Sequence, residues 1–73
     1  QGGSYPIEIN AANEVAVNAF LKNKIKFLQI SELIETALNS AKNQSFNSIE
    51  DILMIDEQAR KKTEDLLKGF KVA

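Results

Sequence analysis

The chain has 73 residues, a net charge of −1, and neither Cys nor His. That composition excludes disulfides, thiolate zinc sites, Cys or His nucleophiles and imidazole general bases, and it leaves carboxylates, eight lysines and one arginine for any chemistry. Acidic and basic residues are interspersed, so no basic stripe offers itself to nucleic acid, and no apolar run approaches a bilayer span or a signal peptide. Such a chain reads as soluble and cytoplasmic, as a single domain whose core contributes only about 3 to 5 kcal/mol.

The first residue is Gln1, and Gly2-Gly3-Ser4-Tyr5-Pro6 has the composition of a turn. Residues 1–9 are therefore predicted as a linker, and the folded unit as residues 10–73 of a longer polypeptide. Gly2-Gly3-Ser4 is not a phosphate loop, because no strand precedes it and no Gly-Lys-Ser/Thr ending follows.

Asn10-Ala11-Ala12-Asn13-Glu14 opens the first predicted helix, over 11–22, with Asn10 as its cap. Positions 12, 15, 16, 19 and 20 supply one apolar face at steps of three and four. Two readings of the polar residues stand side by side. Either Asn10 merely caps the helix, or Asn10, Asn13 and Glu14 form a cluster that needs protein partners once another backbone closes on the small alanines. Asn23 suits the left-handed conformation that ends many helices.

Ile25 to Leu28 is β-like in composition with no second strand to pair with, and is expected as an extended connector whose Ile25 and Phe27 fill the core. Ile30, Leu33, Ile34, Ala37 and Leu38 then give a clean stripe, predicting a helix over 29–41 with Glu32, Glu35 and Asn39 outward. Residues 39–47 read as a solvated loop anchored by Phe46.

Ser48-Ile49-Glu50-Asp51 has the spacing of a capping box, so a third helix starts there. Its stripe runs through Ile52, Ile55, Ala59, Thr63, Leu66 and Phe70, with Glu57/Lys61 and Glu64/Lys68 as solvent-face pairs. Asp56 leaves two possibilities, one helix over 49–68 or a short helix followed by a longer one. Gly69 supplies the stop. The fold class is all-α, a bundle of three or four helices.

Carboxylates at 50, 51 and 56 fit a helix start better than a metal site, since no oxygen-rich loop surrounds them. Lys61-Lys62 reads as solvated surface. Arg60 is the one arginine, and its planar fork suits bidentate pairing. It either bridges Asp56 to the Asn13/Glu14 end of the first helix, or makes only an exposed pair with Asp56. The candidate polar cluster is thus Asn10, Asn13, Glu14, Asp56 and Arg60, a structural set with no catalytic, cofactor-binding or metal-binding member.

Gly2-Gly3-Ser4-x-Pro6, Asn10-Ala11-Ala12-Asn13-Glu14-Val15-Ala16-Val17, Ala19-Phe20-Leu21, Ile25-x-Phe27-x-x-Ile30, Ser48-Ile49-Glu50-Asp51-Ile52-Leu53 and Asp56-x-x-Ala59-Arg60 together resemble the C-terminal domain of 1-deoxy-D-xylulose 5-phosphate reductoisomerases. Asn23 departs from the family, which often has Gly there. The resemblance implies a parent enzyme that uses NADPH and a divalent cation, Mg or Mn, to make methylerythritol phosphate for non-mevalonate isoprenoid synthesis. It also implies that dinucleotide, metal and substrate sites and the homodimer contacts lie in other domains. This helical piece would brace the catalytic domain of its own chain and be inactive alone, with Tyr5, Ile7, Ile9 or Val17 in the covered patch. The alternative is a stand-alone helical interaction module presenting a groove.

Overall fold

A computed structural model describes residues 3–39 and 44–70. Three helices follow one another, α1 (Tyr5–Leu21), α2 (Phe27–Asn39) and α3 (Ile49–Leu67). No strand occurs among the described residues.

Helix α1 starts at Tyr5, so residues 5–9 are helical and not linker. Pro6 explains the early start: in the first turn its missing N–H costs nothing and its fixed φ is already helical. Asn10 consequently lies inside the helix and caps nothing. Ser4 occupies the cap position, with Gly3 before it at φ 93°.

The end of α1 follows the sequence closely. Asn23 adopts φ 63°, the Lys24 N–H donates to Ala19 O at 2.8 Å, and the Asn23 N–H donates to Phe20 O at 2.9 Å. These two bonds are the Schellman arrangement, which satisfies carbonyls the helix would otherwise leave open. The chain then turns back, and Ile25 drops into the core.

Helix α2 begins two residues before its predicted start, at Phe27, where the Gln29 side chain accepts from the Lys26 N–H at 2.7 Å. Phe27 is therefore a helix-start residue and is exposed, not a core plug; it makes an edge-to-face contact with Phe20, centroids 5.8 Å apart. The apolar stripe behaves as its spacing dictates, with Leu33 and Ala37 buried, Ile30, Ile34 and Leu38 half-buried, and Glu32, Glu35 and Asn39 outward. The predicted end at Ala41 lies outside the described residues, as do residues 71–73.

Ser48 caps α3, accepting from the Asp51 N–H at 3.2 Å, while the Asp51 carboxylate reaches back to the Asn47 N–H at 3.1 Å. The helix is unbroken through Asp56 and buries Ile55, Ala59 and Thr63. Its end differs from expectation. Gly69 does not take a left-handed φ; the last turn tightens into i to i+3 bonds from Lys68, Gly69 and Phe70. Lys68 lies 3.7 Å from Asp65, one residue beyond its predicted partner Glu64.

The topology follows from these ends. α2 starts beside the close of α1, and the chain returns to Ser4 at Gln44, so α2 runs antiparallel to α1 while α3 runs alongside α1 in the same direction. α1 is the shared element, packing against both others through Ala11, Ala12, Val15, Ala16 and Ala19. These small side chains let the helix axes approach closely. Ala16, Ala19, Ile25 and Leu33 form the centre, closed by Phe20, Ile30, Ile34, Leu66, Leu67 and Phe70.

Candidate functional site

The polar groups predicted as one cluster divide between two surfaces. Arg60 projects from the middle of α3 toward α1, where Nη2 lies 2.6 Å from Glu14 Oε1 and Nε donates to Asp56 Oδ2 at 2.8 Å. The spacing explains this: Asp56 sits one turn before Arg60 on the same face, and the planar fork then addresses a second carboxylate with its far nitrogen. Hydrogen bonds to Asp56 first and Glu14 second raise the Arg60 pKa above its already high ordinary value. The guanidinium stays charged at every physiological pH.

Asn10 and Asn13 take no part in this bridge. Both are exposed on α1, and among the described residues neither side chain hydrogen-bonds to Arg60 or Asp56. Asn13 instead shares a shallow 290 Å³ depression with Glu14, Val17 and Asn18. Residues 10 and 13 lie on the arc of α1 opposite its buried positions 11, 12, 15, 16 and 19.

A second polar group was not foreseen from the sequence. Ser4 is fully buried and Glu8 is 5% exposed. The Ser4 hydroxyl donates to Glu8 Oε2 at 2.6 Å and accepts from the Gln44 N–H at 2.8 Å, tying the first turn of α1 to the segment leading into α3. The available signal was a Ser–Glu pair four residues apart flanking Pro6. It is one residue too long for a capping box, so the cap rules pass over it.

Neither arrangement suits a cofactor. Glu14 and Asp56, the acidic pair closest to a site, both face a cation already supplied by Arg60. Among the described residues no three Asp or Glu side chains are grouped to hold a metal ion. A 360 Å³ groove between α1 and α3 is lined by Lys22, Lys24 and Lys68 among others, at the ends of two helices whose terminal carbonyls favour cations. Lysines there offset the helix dipoles, and among the described residues no strand or glycine loop accompanies them. Among the described residues no helix is long and apolar enough to cross a membrane.

Apolar side chains are distributed differently. Tyr5 and Ile9 are each 44% exposed, Val17 37% and Leu21 69%, all on α1, while Ile7 is half-buried. Ile49, Leu53 and Met54 form a smaller exposed group on α3.

Comparison with known proteins agrees with this helical architecture. The family model described as DXP reductoisomerase C-terminal domain matches residues 1–62. The chain belongs to that family. A 1-deoxy-D-xylulose 5-phosphate reductoisomerase of Chloroherpeton thalassium is 54% identical over 61 residues, covering 84% of this chain and 16% of that protein. One from Bacillus pumilus is 50% identical over 66 residues, covering 90% and 17%. Among solved structures, 1-deoxy-D-xylulose 5-phosphate reductoisomerase from Zymomonas mobilis in complex with NADPH superposes with a TM-score of 0.86 at 42% identity, over 90% of this chain and 18% of that one. The chain thus spans less than a fifth of the reductoisomerases it matches.

Proposed function

We propose that this chain is the C-terminal structural domain of an enzyme that converts 1-deoxy-D-xylulose 5-phosphate to 2-C-methyl-D-erythritol 4-phosphate in the non-mevalonate route to isoprenoid precursors. In this reading NADPH and a divalent cation, Mg or Mn, bind elsewhere in the parent, which works in the cytoplasm as a homodimer joined through another domain. The three helices brace the catalytic domain of the same chain and carry no step of the reaction.

The observation that carries the reading is how the polar groups are spent. Arg60, Glu14 and Asp56 neutralise one another, and Ser4 and Glu8 hold each other inside the fold. Among the described residues no three Asp or Glu side chains are grouped to hold a metal ion. The family match and its small share of each relative support a domain over a free-standing interaction module.

The test is made on the full-length protein that contains these residues. Purified, it should oxidise NADPH when given 1-deoxy-D-xylulose 5-phosphate and Mg, and truncation before Gly3 should lower its thermal midpoint. Absence of NADPH oxidation by the intact protein would remove the reading.

A further inference from the structure

The turn that joins α1 to α2 presents a surface unlike the rest of the bundle. From 21 to 28 every residue except Ile25 is exposed, and three of them are large and apolar: Leu21 is 69% exposed, Phe27 68% and Leu28 80%. Single apolar side chains at a surface are ordinary, whereas three of this size on one short turn mark a contact. Lys22, Lys24 and Lys26 stand among them, and no Asp or Glu occurs from 15 to 31. The groove between α1 and α3 brings Lys68 to the same end; Glu64 lines that groove too, and Asp65 lies 3.7 Å from Lys68, so four lysines there face two carboxylates.

The turn is held in this form. Left-handed Asn23, the bonds from the Asn23 and Lys24 N–H groups to Phe20 O and Ala19 O, and buried Ile25 fix its backbone, while the Phe20 ring props Phe27. The fold therefore sets these apolar side chains outward.

We infer that the turn is a membrane-surface contact, in which Phe27 and Leu28 enter the headgroup boundary of an anionic bilayer and Lys22, Lys24 and Lys26 meet its phosphates. Apolar side chains interleaved with lysines match a surface that is negative outside and apolar beneath, and the long lysine stems keep each ammonium at headgroup level while the neighbours go deeper. An acidic protein segment would satisfy the lysines alone. Peptides bind in grooves, and the groove that Lys22 and Lys24 line does not include Leu21, Phe27 or Leu28. Contact of this kind lays the protein on the bilayer without a spanning segment, and it is independent of the reaction assigned to the parent enzyme.

The full-length protein that contains these residues is sedimented with vesicles of phosphatidylcholine alone or with about 30% phosphatidylglycerol. At about 0.1 M salt it should pellet with the anionic vesicles, and its partition coefficient should be at least about 10-fold lower on neutral vesicles, and on anionic ones at about 0.5 M salt. Phe27→Ser with Leu28→Ser, and separately Lys24→Gln with Lys26→Gln, should each lower partitioning at least about 10-fold. These positions are exposed, so both variants should unfold within about 3 °C of the unsubstituted protein. Lys61→Gln with Lys62→Gln removes the same charge from α3 and should change partitioning by no more than about 3-fold.

Failure of the unsubstituted protein to pellet with anionic vesicles overturns the proposal, as does equal partitioning onto neutral vesicles or partitioning unmoved by both turn variants. Retention on immobilised polyglutamate without vesicle binding also overturns it and makes the occupant an acidic protein segment. NADPH oxidation by the same preparation tests the parent activity separately, so the two readings fail independently.

Discussion

Arg60 on α3 and Glu14 on α1 meet at 2.6 Å across the seam between two helices that run side by side. The close-packed alanine and valine surface sets the register of the two helices, and the fork held by Asp56 on its own helix meets Glu14 in that register. The energy involved is nevertheless small, because the side chains of Arg60, Glu14 and Asp56 are 37, 50 and 30% exposed and water screens them.

A double-mutant cycle with Arg60→Gln and Glu14→Gln should therefore give a coupling of about 0.5 kcal/mol by urea unfolding, fading in molar salt. A coupling above about 2 kcal/mol would show the pair to be far better shielded than its exposure implies.

The pH response of this pair follows from the direction of the Arg60 shift. A cation whose folded pKa is raised contributes stability that is complete below its unfolded pKa and is lost only as pH passes the folded value. For arginine, already strongly basic and raised further here, that lies far above the physiological range, so Arg60 should add no slope to stability between pH 6 and 10. Arg60→Lys puts a group of ordinary pKa about 10.4 in its place, and the variant should lose more stability toward pH 11 than the parent chain does. Urea midpoints across that range check it.

Removing the Ser4 hydroxyl leaves the buried Glu8 carboxylate without that donor and the Gln44 N–H without that acceptor. Ser4→Ala should cost about 1 to 3 kcal/mol, the desolvation cost of groups left without that partner. Hydrogen exchange at the Gln44 amide should rise with it. Unchanged stability and exchange would mean that the hydroxyl is replaced by water.

Leu33 is completely buried at the centre, touching the alanine face of α1. Leu33→Ala should cost about 2 to 5 kcal/mol, which equals the whole stability of a core this small. Circular dichroism at 25 °C should show a largely unfolded chain.

How much of this was legible depended on whether a signal was local. The stripe of α2, the cap at Ser48 and the left-handed Asn23 each follow from residues within one turn of one another, and the structure has all three. The bridge from Arg60 to Glu14 crosses 46 residues, and what made it foreseeable was the choice of arginine in a chain of lysines. The start of α1 was missed because Gly-Gly-Ser before Pro6 has turn composition, and the same proline serves equally well in a first helical turn. That displacement took the cap role from Asn10, while Asn13 lies outside the bridge because the helical period turns it away from the buried face. Phe27 failed for a related reason: aromatic and β-branched composition suggested burial, and the helix start put it at the surface.

Asn23 offers a further check on the close of α1. Asn23→Ala should cost about 1 kcal/mol because a Cβ is disfavoured at φ 63°, while Asn23→Gly should be neutral or slightly stabilising. Thermal midpoints that fall equally for both would deny the left-handed turn.

The central claim is that these helices support chemistry they do not perform. Its most direct test is to incubate the purified 73-residue chain with 1-deoxy-D-xylulose 5-phosphate, NADPH and Mg, and to follow absorbance of the reduced nicotinamide. The account predicts no oxidation above the enzyme-free rate; turnover that scales with the concentration of the chain would contradict it.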